Sequence, residues 1–61
     1  MMTQGLFYNA ILEEWDGTKN EILAMRLGNE VEIIYSDGII HTVDENYFLK
    51  QATIIGPQIV N

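Results

Sequence analysis

The chain contains no cysteine. Disulfides, thiol nucleophiles and thiolate metal sites are thereby excluded together. His41 is the one imidazole, and a structural zinc site normally needs four nitrogen or sulfur ligands. Serine occurs once, at Ser36, and proline once, at Pro57. Basic residues are equally scarce: Lys19, Arg26 and Lys50 stand against nine carboxylates, for a formal charge of −6. Three cations cannot neutralise the run of phosphates that nucleic-acid binding requires, so no direct DNA or RNA binding is expected. Attraction to anionic membranes is disfavoured on the same ground. No apolar run approaches the ~18 to 20 residues of a membrane span. The first residues lack a basic stretch followed by an apolar one, so no signal peptide is expected and the cytoplasm is the expected compartment. The five glycines are isolated and spaced like turn residues, which leaves neither a P-loop nor a dinucleotide fingerprint.

What is present is a globular composition: 61 residues, 48% hydrophobic and 20% charged. That allows one domain, residues 1–61. A chain of this length buries only about 60% of its unfolded surface. Small scaffolds usually add a disulfide, a metal or a partner subunit. With cysteine absent and histidine nearly so, self-association or a well-packed small barrel remains, and of the two a homo-oligomer is expected.

The clearest element lies mid-chain. Val31-Glu32-Ile33-Ile34-Tyr35 and Ile39-Ile40-His41-Thr42-Val43 flank Ser36-Asp37-Gly38. Both runs are rich in β-branched and aromatic residues, and Asp-Gly is a strong hairpin signal, so residues 31–43 are predicted to form a hairpin. A three-residue loop, with Gly38 in the left-handed bulge position, pairs Tyr35 with Ile39. It sets Val31, Ile33, Tyr35, Ile39, His41 and Val43 on one face. A two-residue turn would mix apolar and polar residues on each face, and register follows the buried face. The chosen register leaves Ile34 and Ile40 adjacent on the polar side, where another element or another chain is expected to cover them. It also makes His41 a packing residue on the apolar face, whose burial would render folding sensitive to pH.

Farther on, Asp44-Glu45-Asn46 reads as a polar turn and Tyr47-Phe48-Leu49 as a helical turn or the start of a strand. Ala52-Thr53-Ile54-Ile55 reads as a strand that Gly56-Pro57 stops, and Gln58-Ile59-Val60 as a last edge strand or a frayed tail. The first half supports two readings. In one, Leu6 to Trp15 and Ile22 to Leu27 form a hairpin around Asp16-Gly17-Thr18-Lys19. In the other, Thr18-Lys19-Asn20-Glu21 is a capping box that opens a short helix over 18–27, with Gly28 as its stop. The Asp-Gly turn and the aromatic content favour the strand reading.

The run Gly28-Asn29-Glu30-Val31-Glu32-Ile33-Ile34-Tyr35-Ser36-Asp37-Gly38 resembles the G-x-x-V-x-V-x-x-x-D-G signature of small barrels of the SH3-like and Sm-like types. The turn at Tyr47-Phe48-Leu49, followed by a strand, is similar to how those barrels close. The resemblance spans about half the chain and implies a fold rather than an activity. The expected class is therefore all-β, or β-rich α+β, as a small SH3-like or Sm-like barrel.

Catalytic constellations are absent. Ser36 and His41 point to opposite faces of the predicted hairpin, and the carboxylates lack the order of a calcium loop. No enzyme, cofactor or metal is expected. The aromatics carry the remaining signal. Trp15 stands between Glu14 and Asp16 just before a turn, with Glu13 beside them. Tryptophan is a favoured interface anchor, but the favoured reading of Trp15 is that it caps the small core or a subunit contact. The candidate binding residues are Trp15, Glu13, Glu14, Asp16, Ile34 and Ile40. The expected function is a non-enzymatic, acidic protein-interaction module for a partner with a basic surface, as small phage or mobile-element inhibitors and accessory proteins are. The alternative is a symmetric homo-oligomer that binds a small ligand at a subunit boundary.

Overall fold

The structure, a computed structural model, describes residues 2–58. Five antiparallel strands form one sheet: β1 (Phe7–Glu13), β2 (Lys19–Leu27), β3 (Glu30–Ile34), β4 (Ile40–Asp44) and β5 (Ala52–Pro57). Tyr47-Phe48-Leu49, read as a helical turn or the start of a strand, lie in a short helix, α1 (Glu45–Gln51), that precedes the last strand. The order across the sheet is β4-β3-β2-β1-β5, so β2 lies at its centre.

That central position decides the ambiguity of the first half. Lys19–Leu27 is a strand and not the helix that the capping box allowed. As a strand it forms ladders with β1 on one side and β3 on the other. Tertiary pairing on both edges outweighs the local helix preference of Leu23 to Leu27. Strict alternation then sorts the side chains. Tyr8, Ala10 and Leu12 of β1, Ile22 and Ala24 of β2, and Val31 and Ile33 of β3 are buried together on one face. Phe48 of α1 and Met2 complete this core, and Val43, Ala52 and Ile54 pack at its margin.

The 31–43 hairpin has the expected register. The Tyr35 amide donates to the Ile39 carbonyl at 2.9 Å, and the Gly38 amide donates to the Tyr35 carbonyl at 2.9 Å. Gly38 has φ +91°, the left-handed conformation that makes glycine the natural residue at a bulge. The side chain of Asp37 closes the turn by accepting from the Ile39 amide at 3.0 Å.

The far half of that hairpin is less buried than its pattern suggested. His41 lies opposite Ile33 on the inward side, yet it is exposed, and Ile39 is 52% exposed. The reason is position: β4 is the sheet edge, and the core ends at β3. The His41 ring sits edge-on to Tyr35 at 5.2 Å. The burial on which pH sensitivity through His41 depended is therefore absent.

Asp44 turns the chain from strand to helix. Its carboxylate accepts from the amides of Asn46 (2.9 Å) and Tyr47 (3.4 Å), satisfying two of the free donors at the helix start. The polar turn expected at residues 44–46 is thus a cap and the first turn of α1. The strand after the helix does not stop at Gly56 but runs through Pro57, which lies opposite Tyr8. Proline is tolerated there because β5 is an edge, where an amide facing away from β1 is not needed for pairing. The Gln58 amide donates to the Phe7 carbonyl at 2.8 Å, while Ile59 and Val60 lie outside the described residues.

The start of the described chain is strapped down by a residue that carried no sequence signal. Arg26 donates to the Gly28 carbonyl (2.9 Å) and the Met2 carbonyl (3.3 Å) and pairs with Glu45 of α1 at 3.3 Å. Thr3 donates its amide to the Tyr8 hydroxyl at 2.7 Å, and the Gln4 side chain accepts from the Gly28 amide at 3.0 Å. One of the three cations is therefore spent inside the fold.

Candidate functional site

The six candidate residues divide between two places. Glu14, Trp15 and Asp16 belong to the β1–β2 connection, and Glu13 is the last residue of β1. Ile34 and Ile40 face each other across β3 and β4. Both hairpin tips lie at the same end of the sheet, because Glu13 pairs with Lys19 and Ile34 pairs with Leu23 on the same strand. Four residues of β2 separate those positions, about 13 Å along the strand.

At the first place, Trp15 is 96% exposed. Trp15 does not cap the core: the turn carries it beyond the last rung of the ladder, where no described residue covers it. The turn itself is built locally. The Glu14 amide donates to the Thr18 carbonyl at 2.7 Å, and the Gly17 amide to the Glu14 carbonyl at 2.9 Å. Asp16 accepts from the Thr18 amide at 2.9 Å, and this donor, with the Thr18 hydroxyl, holds its carboxyl below the usual carboxylate range. Glu14 is half-buried, and one of its carboxylate oxygens is enclosed without a hydrogen-bond partner. It stands near Tyr35. Burial pushes the Tyr35 phenol above its usual range, and the negative charge of Glu14 adds to the effect. Glu14 and Asp16 therefore shape the turn, while Trp15 and Glu13 remain free to meet a partner.

At the second place the strand alternation builds a larger surface than the two isoleucines announced. With Tyr8, Ala10, Leu12, Ile22, Ala24, Val31 and Ile33 turned inward, the intervening residues face outward. Ile40, Ile34 and Leu23 then stand in one row across β4, β3 and β2, and Met25 and Phe7 stand together in the next. Ile40 is 55% exposed and Phe7 is 38% exposed. No element among the described residues lies over this face: α1 packs on the opposite one, through Phe48. Leu23, Met25 and Phe7 were missed as candidates because the two β2 faces are almost equally apolar in sequence. Only the small Ala24 and the partner strands identify which face is inward.

Carboxylates ring the apolar band. Glu30 faces Asp44 directly across β3 and β4, Glu32 lies between Met25 and Thr42, and Glu21 lies opposite Ile11. Like charges directly opposite one another are unfavourable in an isolated sheet. The one cation on this face is Lys19, opposite Glu13. Arg26 has its alternation on the inward side and is paired with Glu45. The arrangement offers apolar contact at the centre and acceptors of positive charge at the border.

No group of three or more histidine or acidic side chains that could hold a metal ion occurs among the described residues. No helix among them is long and apolar enough to cross a membrane. Comparisons with protein-family models, with curated proteins and with solved structures find no match to this chain.

Proposed function

We propose that the chain is a non-enzymatic protein-interaction module that docks on a basic partner through the outward face of its sheet. The observation that supports this reading is the apolar band of Phe7, Leu23, Met25, Ile34 and Ile40, bordered by Glu21, Glu30, Glu32 and Asp44 with Lys19 as its single cation. Apolar centres with polar rims are the common anatomy of protein interfaces, and one-signed borders select the partner by charge. Trp15, projecting from the same end of the sheet, is a further anchor. Occupying a basic groove on another protein is how such a module would act as an inhibitor or accessory protein, and a cytoplasmic setting belongs to the same proposal.

The test uses isotope-labelled protein titrated with an amphipathic peptide bearing lysine and leucine, and with the same peptide bearing glutamate for lysine. The expected result is that the lysine peptide perturbs the amide signals of Phe7, Leu23, Met25, Ile34 and Ile40 and that its affinity falls several-fold as salt rises, because exposed charges are screened over about 10 Å at 0.1 M. Equal binding of the glutamate peptide would overturn the proposal. The second reading, a symmetric homo-oligomer with a ligand at the subunit boundary, would use the same apolar band as its contact, but it would set Glu30, Glu32 and Asp44 of the copies against one another.

A further inference from the structure

We infer that the free edge of β4 is a strand acceptor, and that its occupant is an extended segment of a partner protein with basic and apolar side chains in alternation. This rests on the reading above and specifies how the partner is held.

The two edges of the sheet differ. β5 carries Pro57 and Gly56, and its register with β1 is broken between Asn9 and Ala10. Proline and bulges are the usual protections of an edge against strand addition. β4, with the sequence Ile-His-Thr-Val-Asp, has neither, and its five-residue ladder with β3 is regular. It contains no lysine or arginine, the other common protection.

The hydrogen-bond phase shows which groups are free. The Tyr35 amide bonds to the Ile39 carbonyl, so Tyr35 and Ile39 form a hydrogen-bonded pair. Pairs alternate along an antiparallel ladder. Ile34–Ile40 and Glu32–Thr42 are then non-bonded pairs, and the backbone N–H and C=O groups of Ile40 and Thr42 point away from β3. Both residues are exposed, and no backbone partner for these groups is found among the described residues. Four backbone groups thus present the pattern that strand addition uses.

Charge and alternation specify the occupant. On the outward side the incoming strand would run beside Ile40, Thr42 and Asp44, with Glu30 and Glu32 one strand farther away, about 10 Å from it. Asp37 lies in the turn at one end of the edge and Asp44 at the other. Lysine or arginine at the outward positions beside Thr42 and Asp44 would meet Asp44, Glu32 and Glu30, while the position beside Ile40 borders the apolar row of Ile40 and Ile34, with Asp37 in the turn beyond it. On the inward side the neighbours are Ile39, His41 and Val43, beside the margin of the core, where apolar side chains fit. A second copy offers the wrong chemistry, because antiparallel pairing of two β4 strands would bring the aspartates at residues 37 and 44 of the copies toward each other.

The experiment pairs the intact protein with a short peptide of alternating lysine and valine, and with the same peptide N-methylated at alternate backbone positions, in both phases. Methylation removes donors while keeping charge and side chains. The expected result is that the unmodified peptide binds, that it slows hydrogen exchange at the amides of Ile40 and Thr42, and that methylation in one phase weakens binding about tenfold or more. Thr42→Pro should weaken binding comparably while leaving the fold intact, because the Thr42 amide makes no bond to β3, and Thr42→Val should bind as the original does. Binding that is indifferent to methylation and maps to the outward face overturns strand addition and leaves the docking reading standing. No binding of either basic peptide overturns both. A dimer of the chain alone that Thr42→Pro dissolves would assign the edge to a second copy and overturn the proposal.

Discussion

Replacing Phe48 with alanine should remove most of the stability of this domain. Phe48 is fully buried, is the one buried residue of α1, and sits in the common core with residues of β1, β2 and β3. Burying a phenylalanine contributes about 1.5–3 kcal/mol by transfer alone. With the cavity left behind, Phe→Ala changes cost about 3–5 kcal/mol. At roughly 0.05–0.15 kcal/mol per residue, a chain of this size has a total of about 3–9 kcal/mol. In the lower half of that range the variant stands at or close to its unfolding midpoint at 25 °C, whereas Phe48→Leu should lose only about 1 kcal/mol. Urea unfolding followed by far-ultraviolet circular dichroism is the suitable assay. Tryptophan fluorescence is not, because Trp15 is already 96% exposed and its emission should change little on unfolding. A loss below about 1 kcal/mol for Phe48→Ala, at unchanged denaturant dependence, would refute the assignment of Phe48 as the residue that fastens the helix to the sheet.

Two further outcomes follow from turn geometry and from titration. Gly38→Ala should cost about 1–2 kcal/mol, because Gly38 holds φ +91° at the bulge; Gly56→Ala, at a residue without positive φ and with no atom near an added Cβ, should stay within about 0.5 kcal/mol. Equal effects of the two in thermal unfolding would contradict the hairpin geometry. Burial, and then the charge of Glu14, raises the Tyr35 phenol above its usual value of 10.0. The unfolded chain therefore loses this proton first, so the contribution is fully present below about pH 10 and is lost as pH rises through the folded value. Tyr8 moves the other way, since Thr3 donates to its oxygen, but it is common to both proteins when the original is compared with Tyr35→Phe. The melting-temperature difference between those two should be constant below about pH 9 and shift against the original above pH 10; no shift there would refute the enclosed position of Tyr35.

The parts of the fold that were legible in the sequence are those governed by neighbours along the chain. Asp37-Gly38 between β-branched runs sufficed for the hairpin and its register, since only the three-residue loop separates apolar from polar residues and only glycine sits easily in the left-handed position. Asp16-Gly17-Thr18-Lys19 marked a turn, and the observed one spans residues 14–18, with Lys19 opening β2. Composition alone set the one-signed charge and removed thiol chemistry. The remainder depended on which strands became neighbours. Lys19–Leu27 carries helix-favouring residues and a capping box, and it is a strand because β1 and β3 flank it. His41 sits on the face its alternation assigned but in water, because β4 lies at the edge, which no local pattern encodes. The outward band of Phe7, Leu23, Met25, Ile34 and Ile40 comes from four strands, and Arg26 joins the chain start, a turn and the helix across 24 residues. Local propensity and charge are properties of the chain itself; burial, edges and shared faces arise only when distant segments pair, and so the tertiary structure decided them.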